Sequence, residues 1–264
     1  MPASTAPHPF AVVTGASSGI GLALATTFAE HGFDLLVTAD DDGVSTVAAE
    51  LGREGTTAHA VQADLTTVEG VQTLVDAVRG AGRPVDALAL NAGVGQGGAF
   101  LETPLEGDLE VIALDVVAPV RLAKALVPAM VSRGEGRVLF TASTASLMPG
   151  PYYATYAASK AFVLSFSEAL RHELKDSGVT VTALLPGPTD TAFFERSDMV
   201  ETRVGQGPKD DPAKVAAEAF DALMKGRDKV EVGSLKVKSQ TAAAALLPDR
   251  AKAAMHAAFT KPTE

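Results

Sequence analysis

Cysteine is absent from this 264-residue chain, which excludes disulfide bonds and thiolate chemistry. Basic residues are scarce early in the chain, because no Lys or Arg precedes Arg53. The apolar stretch 10–29 therefore lacks the charged start of a signal peptide, and its Gly and Ser residues interrupt it too soon for a membrane span. We expect a soluble protein, and the lack of cysteine suits the reducing cytoplasm.

Acidic residues outnumber basic ones by 32 to 22, and the formal net charge at pH 7 is −10. Such a charge argues against nucleic acid or an anionic membrane as a partner. The histidines show no spacing typical of metal ligands or of a catalytic triad. We expect no metal site, and we interpret as surface or packing residues His8, His31, His59, His172 and His256.

Short apolar segments alternate with longer segments of helical period. The predicted strands cover 10–15, 34–39, 57–62, 86–93, 137–142 and 180–186. The predicted helices cover 19–32, 44–55, 68–80, 106–132 and 154–176. Strands that are apolar throughout and separated by helices predict an α/β fold with a doubly wound parallel sheet, which binds ligands at the carboxyl ends of its strands.

No linker, charge block or repeat indicates a second domain, so we treat 1–264 as a single domain. Residues 190–212 mix apolar residues with charge, Gly and Pro, which predicts a mobile lid over the sheet edge. The Ala-rich stretch 241–258 predicts helix broken at Pro248, within a C-terminal helical extension over 235–264.

The segment TGASSGIG, residues 14–21, lies between the first strand and the first helix. Its first glycine permits a tight turn, its second the close approach of a phosphate, and its third close packing of helix on strand. The start of the helix offers free N–H groups and a positive dipole end to a pyrophosphate. A glycine-rich turn can also serve packing alone. The candidate phosphate-binding residues are Gly15, Ser17, Ser18, Gly19, Ile20 and Gly21.

The segment TADDDG, residues 38–43, closes the second strand where the adenosine ribose of a dinucleotide is expected. A carboxylate at Asp40 would accept hydrogen bonds from the ribose hydroxyls and repel a 2′-phosphate. Since no basic residue occurs in the first 52 positions, the loop favours NAD(H) over NADP(H). We interpret Asp41 and Asp42 as a solvated turn.

All three tyrosines lie in PYYATYAASK, residues 151–160. On a helix, Tyr156 and Lys160 share a face, and a nearby ammonium favours the phenolate form. A phenol has a pKa of about 10, and lowering it by three units requires roughly 4 kcal/mol. Tyr153 lies two turns from Lys160 and Tyr152 points elsewhere, so we assign both to the pocket mouth or to packing. Tyr156 is the candidate acid–base residue.

Four motifs in this order resemble the short-chain dehydrogenase/reductase family: TGASSGIG at 14–21, NAG at 91–93, Ser143, and YAASK at 156–160. The resemblance covers residues 10 to about 191. It implies a Rossmann-type fold and hydride transfer between a nicotinamide cofactor and an alcohol/ketone pair.

The resemblance also implies roles for single residues. Tyr156 would exchange a proton with the substrate oxygen, Ser143 would hydrogen-bond that oxygen, and Lys160 would hold the nicotinamide ribose. The cofactor contacts implied beyond the glycine turn are Asp64 and Leu65 near the adenine, Asn91, Ala92 and Gly93 beside the cofactor, and Pro186, Gly187 and Thr189 over the nicotinamide.

The chain departs from the family at Asp115, where the family usually has Asn in a water-linked proton relay. Pro119 has no N–H to donate to the carbonyl of Asp115, so the backbone part of such a relay is possible. An ionised Asp side chain only accepts hydrogen bonds, whereas Asn both donates and accepts. We keep Asp115 as a candidate catalytic residue whose side-chain role is open.

The predicted pocket wall is apolar, which favours an apolar alcohol or carbonyl substrate: Val94, Ala145, Leu147, Met148, Tyr153, Phe193, Phe194 and Met199. Two alternatives stay open, an NADPH-linked carbonyl reductase and a non-catalytic dinucleotide-sensing protein. The resemblance further implies a homodimer or homotetramer that pairs through helices 106–132 and 154–176.

Overall fold

The structure, a computed structural model, describes residues 8–52, 56–233 and 247–262. Its strands form one parallel sheet with the spatial order β3-β2-β1-β4-β5-β6-β7. The strands are β1 (Phe10–Thr14), β2 (Asp34–Ala39), β3 (Ala58–Gln62), β4 (Ala87–Leu90), β5 (Gly136–Thr141), β6 (Val179–Pro186) and β7 (Lys229–Val232).

Helices cover both faces of the sheet. They are α1 (Gly19–Glu30), α2 (Gly43–Leu51), α3 (Val68–Gly80), α4 (Leu105–Ile112), α5 (Ala118–Arg133), α6 (Ala154–Glu173), α7 (Phe193–Arg196), α8 (Arg203–Gln206), α9 (Pro212–Met224) and α10 (Asp249–Thr260). No helix in this part of the chain combines the length and apolar composition that a membrane span requires.

Two hydrophobic cores lie on opposite faces of the sheet because successive residues of a strand point to opposite sides. Along β1, Val12 joins the core formed with α3, α5 and α6, whereas Ala11 and Val13 join the core formed with α1, α2 and α9. A parallel sheet covered in this way is the predicted Rossmann-type, doubly wound single-domain fold, which is confirmed.

The long helix predicted over 106–132 contains one π-helical turn, Ala113–Val117, between α4 and α5. Pro119 follows this turn and has no N–H for the carbonyl four residues before it, which belongs to Asp115. A π-helical turn relaxes the regular hydrogen-bond ladder at such a point. The turn sets Asp115 into the interior, where the residue is 1% exposed.

Two elements near the sheet edge have no counterpart in the sequence prediction. Helix α9 packs an apolar face onto α1, and the rings of Phe220 and Phe28 meet edge to face at 5.2 Å between centroids. Strand β7 extends the sheet beside β6. Its pattern Lys-Val-Glu-Val mixes charge with apolar residues, as suits a partly exposed edge strand.

The structure describes the whole of the predicted lid and part of the predicted C-terminal extension. Segment 190–212 folds into α7 and α8, with Phe194 and Met199 buried, and a bridge between Thr189 and Asp210 ties its ends together. Its mobility stays a prediction. Helix α10 begins after Pro248, as the sequence indicated, while residues 234–246 and the predicted helix end at 53–55 lie outside the described residues.

Candidate active site

A cavity of about 1040 Å³ opens at the carboxyl ends of the strands. It brings together almost all of the sequence-predicted site residues. They are Gly15, Ser17, Ser18, Gly19, Ile20, Gly21, Asp40, Asp64, Leu65, Asn91, Ala92, Gly93, Ser143, Tyr156, Lys160, Pro186, Gly187 and Thr189. Asp115 does not line the cavity and lies buried behind Lys160.

The glycine turn between β1 and α1 leaves no room for side chains. Gly15 has a φ of +66°, and a Cβ atom there would lie 2.9 Å from the Cα of Ala92. A Cβ on Gly21 would lie 1.9 Å from the carbonyl oxygen of Gly15. The turn therefore depends on glycine at both positions, and the N-terminal end of α1 borders the cavity with its backbone exposed to a ligand.

Two buried threonines fix the Asn91-Ala92 turn after β4, a role that the sequence interpretation missed. The Oγ1 atom of Thr14 accepts hydrogen bonds from the backbone N–H groups of Asn91 and Ala92, each at 2.9 Å. The side chain of Asn91 donates to the carbonyl of Thr14 at 3.1 Å and accepts from Thr141 at 3.2 Å. Thr14 stands in the glycine motif, directly before Gly15, so its position was the available signal.

The three aspartates after β2 have different surroundings. Asp41 accepts hydrogen bonds from the Ser17 hydroxyl at 2.6 Å and from the Gly43 N–H at 2.8 Å, which braces the loop. Asp40 is exposed and lines the cavity. Of the three aspartates, Asp40 is the one that lines the cavity, where the sequence predicted a contact with the adenosine ribose.

Asp64 also borders the cavity, but its carboxylate closes a local turn. Its Oδ1 atom accepts from the Thr66 N–H at 2.9 Å and from the Thr66 hydroxyl at 2.6 Å. This turn leads into α3, where Thr67 caps the helix by accepting from the Gly70 N–H.

Tyr156 and Lys160 lie one turn apart on α6, and the Nζ atom of Lys160 is 5.6 Å from the centre of the phenol ring. Ser143 lines the same cavity, and its hydroxyl oxygen accepts a hydrogen bond from the Ala145 N–H at 3.1 Å. All three side chains are buried. The structure thus assembles the predicted Ser-Tyr-Lys group where the glycine-turn half of the cavity meets its apolar half.

Lys160 forms a buried ion pair that the sequence interpretation did not anticipate. Its Nζ atom lies 3.2 Å from Oδ2 of Asp115 and 3.4 Å from the carbonyl of Thr141. The Asp115 carboxylate also accepts from the Val94 N–H at 2.9 Å and from the Ser159 hydroxyl at 3.0 Å. Three donors facing one carboxyl group suit its ionised form, which only accepts hydrogen bonds.

The ion pair changes the expected electrostatics of the phenol. Burial raises the pKa of Tyr156, and the negative charge of Asp115 raises it further, whereas Lys160 and Ser143 lower it without offsetting the rise. Lys160 thus lowers this pKa, as predicted, but burial and Asp115 outweigh it, and the net direction in the ligand-free protein is upward. Burial would lower the pKa of Lys160, but Asp115 and Tyr156 raise it. Burial likewise raises the pKa of Asp115, against the pull of Lys160.

An aromatic cluster encloses the phenol. The Tyr156 ring stacks on Tyr153, with centroids 5.7 Å apart and planes at 26°, and meets Phe193 at 5.1 Å. The other predicted wall residues that line the cavity are Val94, Ala145, Met148, Phe194 and Met199. Leu147 is not among them. It ends the short 3₁₀ helix Thr144–Leu147 and packs against the core formed with α3, α5 and α6.

The sequence interpretation also missed the contribution of α10. Met255, His256, Phe259 and Thr260 line the cavity, and His256 Nε2 lies 2.6 Å from the Tyr153 hydroxyl. His256 is therefore more than a surface or packing residue. Since it stands 103 positions from Tyr153, no local pattern could have indicated the contact.

Comparisons with known proteins give consistent matches. A family model described as short chain dehydrogenase matches residues 9–201. Oxidoreductase UcpA from Salmonella typhimurium is 34% identical over 228 residues, which cover 85% of this chain and 84% of that protein.

Two solved structures share the fold. A short-chain dehydrogenase from Sphingobium yanoikuyae in complex with NADPH has a TM-score of 0.81 and 32% identity, over 89% of this chain and 91% of that chain. A short chain dehydrogenase/reductase from Burkholderia phymatum in complex with NAD has a TM-score of 0.81 and 26% identity. The match covers 89% of this chain and 92% of that chain. The two structures hold different nicotinamide cofactors.

Proposed function

The chain belongs to the short-chain dehydrogenase/reductase family, and on that premise we propose that it transfers a hydride between NAD(H) and the alcohol/ketone pair of an apolar substrate. It is an oxidoreductase of a family that uses nicotinamide cofactors. The observation that carries the proposal is the buried Ser143-Tyr156-Lys160 group at the junction of a glycine-turn site and an apolar chamber.

The residues of the first half of the cavity fit a dinucleotide. The side-chain-free turn at Gly15 and Gly21 supports binding of the pyrophosphate at the start of α1. Asp40 would hold the adenosine ribose, and Lys160 would hold the nicotinamide ribose, as the family resemblance implies. When bound, the cofactor supplies or accepts the hydride.

Tyr156 would move the proton that accompanies the hydride. In ketone reduction the phenol O–H protonates the substrate oxygen as the carbonyl carbon gains hydride, and in alcohol oxidation both transfers reverse. Ser143 would hydrogen-bond the same oxygen. The raised pKa of Tyr156 keeps the phenol protonated in the ligand-free protein, which is the form that donates a proton in ketone reduction.

Asp40 supports NAD(H) as the preferred cofactor. A 2′-phosphate would meet its carboxylate, and no Lys or Arg precedes position 53 to offset the repulsion. An NADPH-linked carbonyl reductase is the second candidate, favoured by the NADPH complex of the similar Sphingobium protein. We favour NAD(H) because the carboxylate belongs to this chain's own cavity.

The chamber around Tyr156 supports an apolar substrate. Phe194 and Met199 are buried in its wall, and Val94 and Phe193 pack against them. Hydrophobic walls with a few convergent polar groups are typical of small-molecule sites. A ketone or secondary alcohol with an apolar body fits this lining.

The long helices support assembly into a homodimer or homotetramer. Ile112, Val117 and Phe162 are exposed apolar residues on the α4–α5 and α6 helices, at 39–42% exposure. Exposed apolar side chains on these helices are available for burial in an interface between copies of the chain. Location in the cytoplasm stays a prediction from the sequence.

A cofactor and substrate screen tests the proposal. Purified protein is assayed with NADH and with NADPH against cyclic, aromatic and long-chain ketones, and with NAD⁺ against the matching alcohols. Turnover of apolar ketones with NADH supports it. Turnover of none of these compounds with either cofactor contradicts it.

A further inference from the structure

A polar pair at the outer edge of the apolar chamber takes no part in the proposed reaction. The hydroxyl of Tyr153 and the Nε2 atom of His256 lie 2.6 Å apart, and both residues line the cavity. Tyr153 is 6% exposed and His256 is half-buried. The contact joins two elements that lie 103 positions apart in the sequence, so it links α10 to the start of α6.

The partners of His256 define the direction of the hydrogen bond. Its Nδ1 atom lies 2.9 Å from the carbonyl oxygen of Pro149, which can only accept, so Nδ1 carries the proton. The Nε2 atom of the neutral ring then accepts from the Tyr153 O–H. Burial lowers the pKa of His256, which agrees with the neutral ring.

Helix α10 is fastened by further contacts on the same side. Thr260, which is 2% exposed, donates its hydroxyl proton to the carbonyl of Pro151 at 2.8 Å. A bridge between Thr202 and Pro262 joins the end of α10 to segment 190–212. The helix is thus held to both the loop before α6 and the predicted lid.

The same contacts lead to the proposed acid–base residue. The ring of Tyr153 stacks on Tyr156 at 5.7 Å, while Met255 and Phe259, one helical turn apart on α10, line the cavity beside His256. The hydrogen bond therefore joins the outer apolar wall of the chamber to the ring that packs against the phenol.

We propose that His256 is a positioning residue for substrate selection: by accepting the Tyr153 hydrogen bond it docks α10 as the outer wall of the substrate chamber. This inference rests on the proposed function for the identity of the chamber. It assigns Met255 and Phe259 to contacts with the distal part of a long apolar substrate. A compact ketone that reaches only Tyr156 and Ser143 does not depend on that wall.

The first test requires no turnover. Amide hydrogen exchange over 249–260 is measured by mass spectrometry in the wild type, His256→Ala, Tyr153→Phe and the double variant. His172→Ala, which removes an exposed histidine at the end of α6, is the control. We expect at least tenfold faster exchange in either single variant, no further change in the double variant, and wild-type exchange in the control. Unchanged exchange in His256→Ala, or additive effects in the double variant, overturns the docking role.

The second test measures selectivity with NADH and two ketones, cyclohexanone and 2-undecanone. In His256→Ala we expect the KM for 2-undecanone to rise at least fivefold, while the KM values for cyclohexanone and NADH change less than twofold. His256→Gln keeps an acceptor for the Tyr153 hydroxyl and should restore at least half of the selectivity. Equal changes for the two ketones overturn the inference. If the wild type reduces neither ketone, the proposed substrate class fails, and the exchange experiment alone decides on the docking of α10.

Discussion

The Nζ atom of Lys160 lies 3.2 Å from the Oδ2 atom of Asp115, and their side chains are 5% and 0% exposed. This pair places a negative charge behind the ammonium that was expected to stabilise the Tyr156 phenolate. The phenol therefore faces charges of opposite sign, and burial, the largest influence, sets the upward direction of its pKa.

Asp115→Asn should shift the pH profile of alcohol oxidation to lower pH. The substitution removes the charge that raises the Tyr156 pKa and keeps an oxygen for the Val94 N–H. A shift of about one pH unit corresponds to about 1.4 kcal/mol. The check is the pH dependence of kcat/KM with NAD⁺.

Asp108→Asn, which removes another buried carboxyl group from the same long helix, is the control and should leave the profile in place. A profile that stays fixed or moves to higher pH in Asp115→Asn would contradict the role of the ion pair.

The buried phenols should make the protein less stable above about pH 10. Burial raises the pKa of both Tyr153 and Tyr156, so the unfolded chain releases these protons first as the pH rises. Their contribution to stability is fully present below about pH 10, the unfolded pKa, and is lost above it.

The chain has no tryptophan, and Tyr152→Phe leaves only these two tyrosines. The phenolate absorbance of that variant should therefore rise together with the loss of circular dichroism. Ionisation of both phenols at or below pH 10 in a folded protein would refute the burial argument.

Asp40→Arg should reduce the preference for NAD(H). At about 4 Å, two unit charges repel by roughly 4 kcal/mol at an effective dielectric of 20, and solvent weakens this. Even half of that value exceeds a tenfold preference, since about 1.4 kcal/mol is one decade. We expect kcat/KM to favour NADH over NADPH at least tenfold in the wild type and by less in Asp40→Arg. Asp42→Arg adds the same charge at a residue that does not line the cavity and should retain the preference. A wild-type enzyme that prefers NADPH would contradict this interpretation.

Phe162→Glu should weaken self-association. The residue is 42% exposed on α6, and a charge there would be buried in an interface formed by the long helices. Light scattering should report a dimer or tetramer for the wild type and a smaller species for the variant. Val68→Glu, on the exposed surface of α3, is the control. A wild-type monomer at micromolar concentration would remove the basis for the proposed interface.

Local patterns predicted most of the fold and the centre of the site. The apolar strands, the turn at Gly15 and the spacing of Tyr156 and Lys160 depend on neighbours within a few residues. The edge strand β7 lacked a continuous apolar run, and so it was missed.

Contacts between distant parts of the chain could not be predicted in the same way. The Asp115–Lys160 pair joins two helices across 45 positions, and the Tyr153–His256 contact spans 103. Both depend on the tertiary packing of whole elements. The family resemblance marked Asp115 as a departure from the usual Asn, but only the fold supplies its partner.

The most direct measurement of the central claim compares Tyr156→Phe with the wild type in hydride transfer and in NADH binding. The substitution keeps the ring between Tyr153 and Phe193 and removes only the proton that the substrate oxygen needs. We expect kcat to fall at least 100-fold, within the range for loss of a general acid, while NADH binds within about threefold of the wild-type Kd. Tyr152→Phe, which changes a neighbouring tyrosine that does not line the cavity, should retain activity. Retention of more than a few per cent of the wild-type rate by Tyr156→Phe would show that another group transfers the proton and would contradict the account.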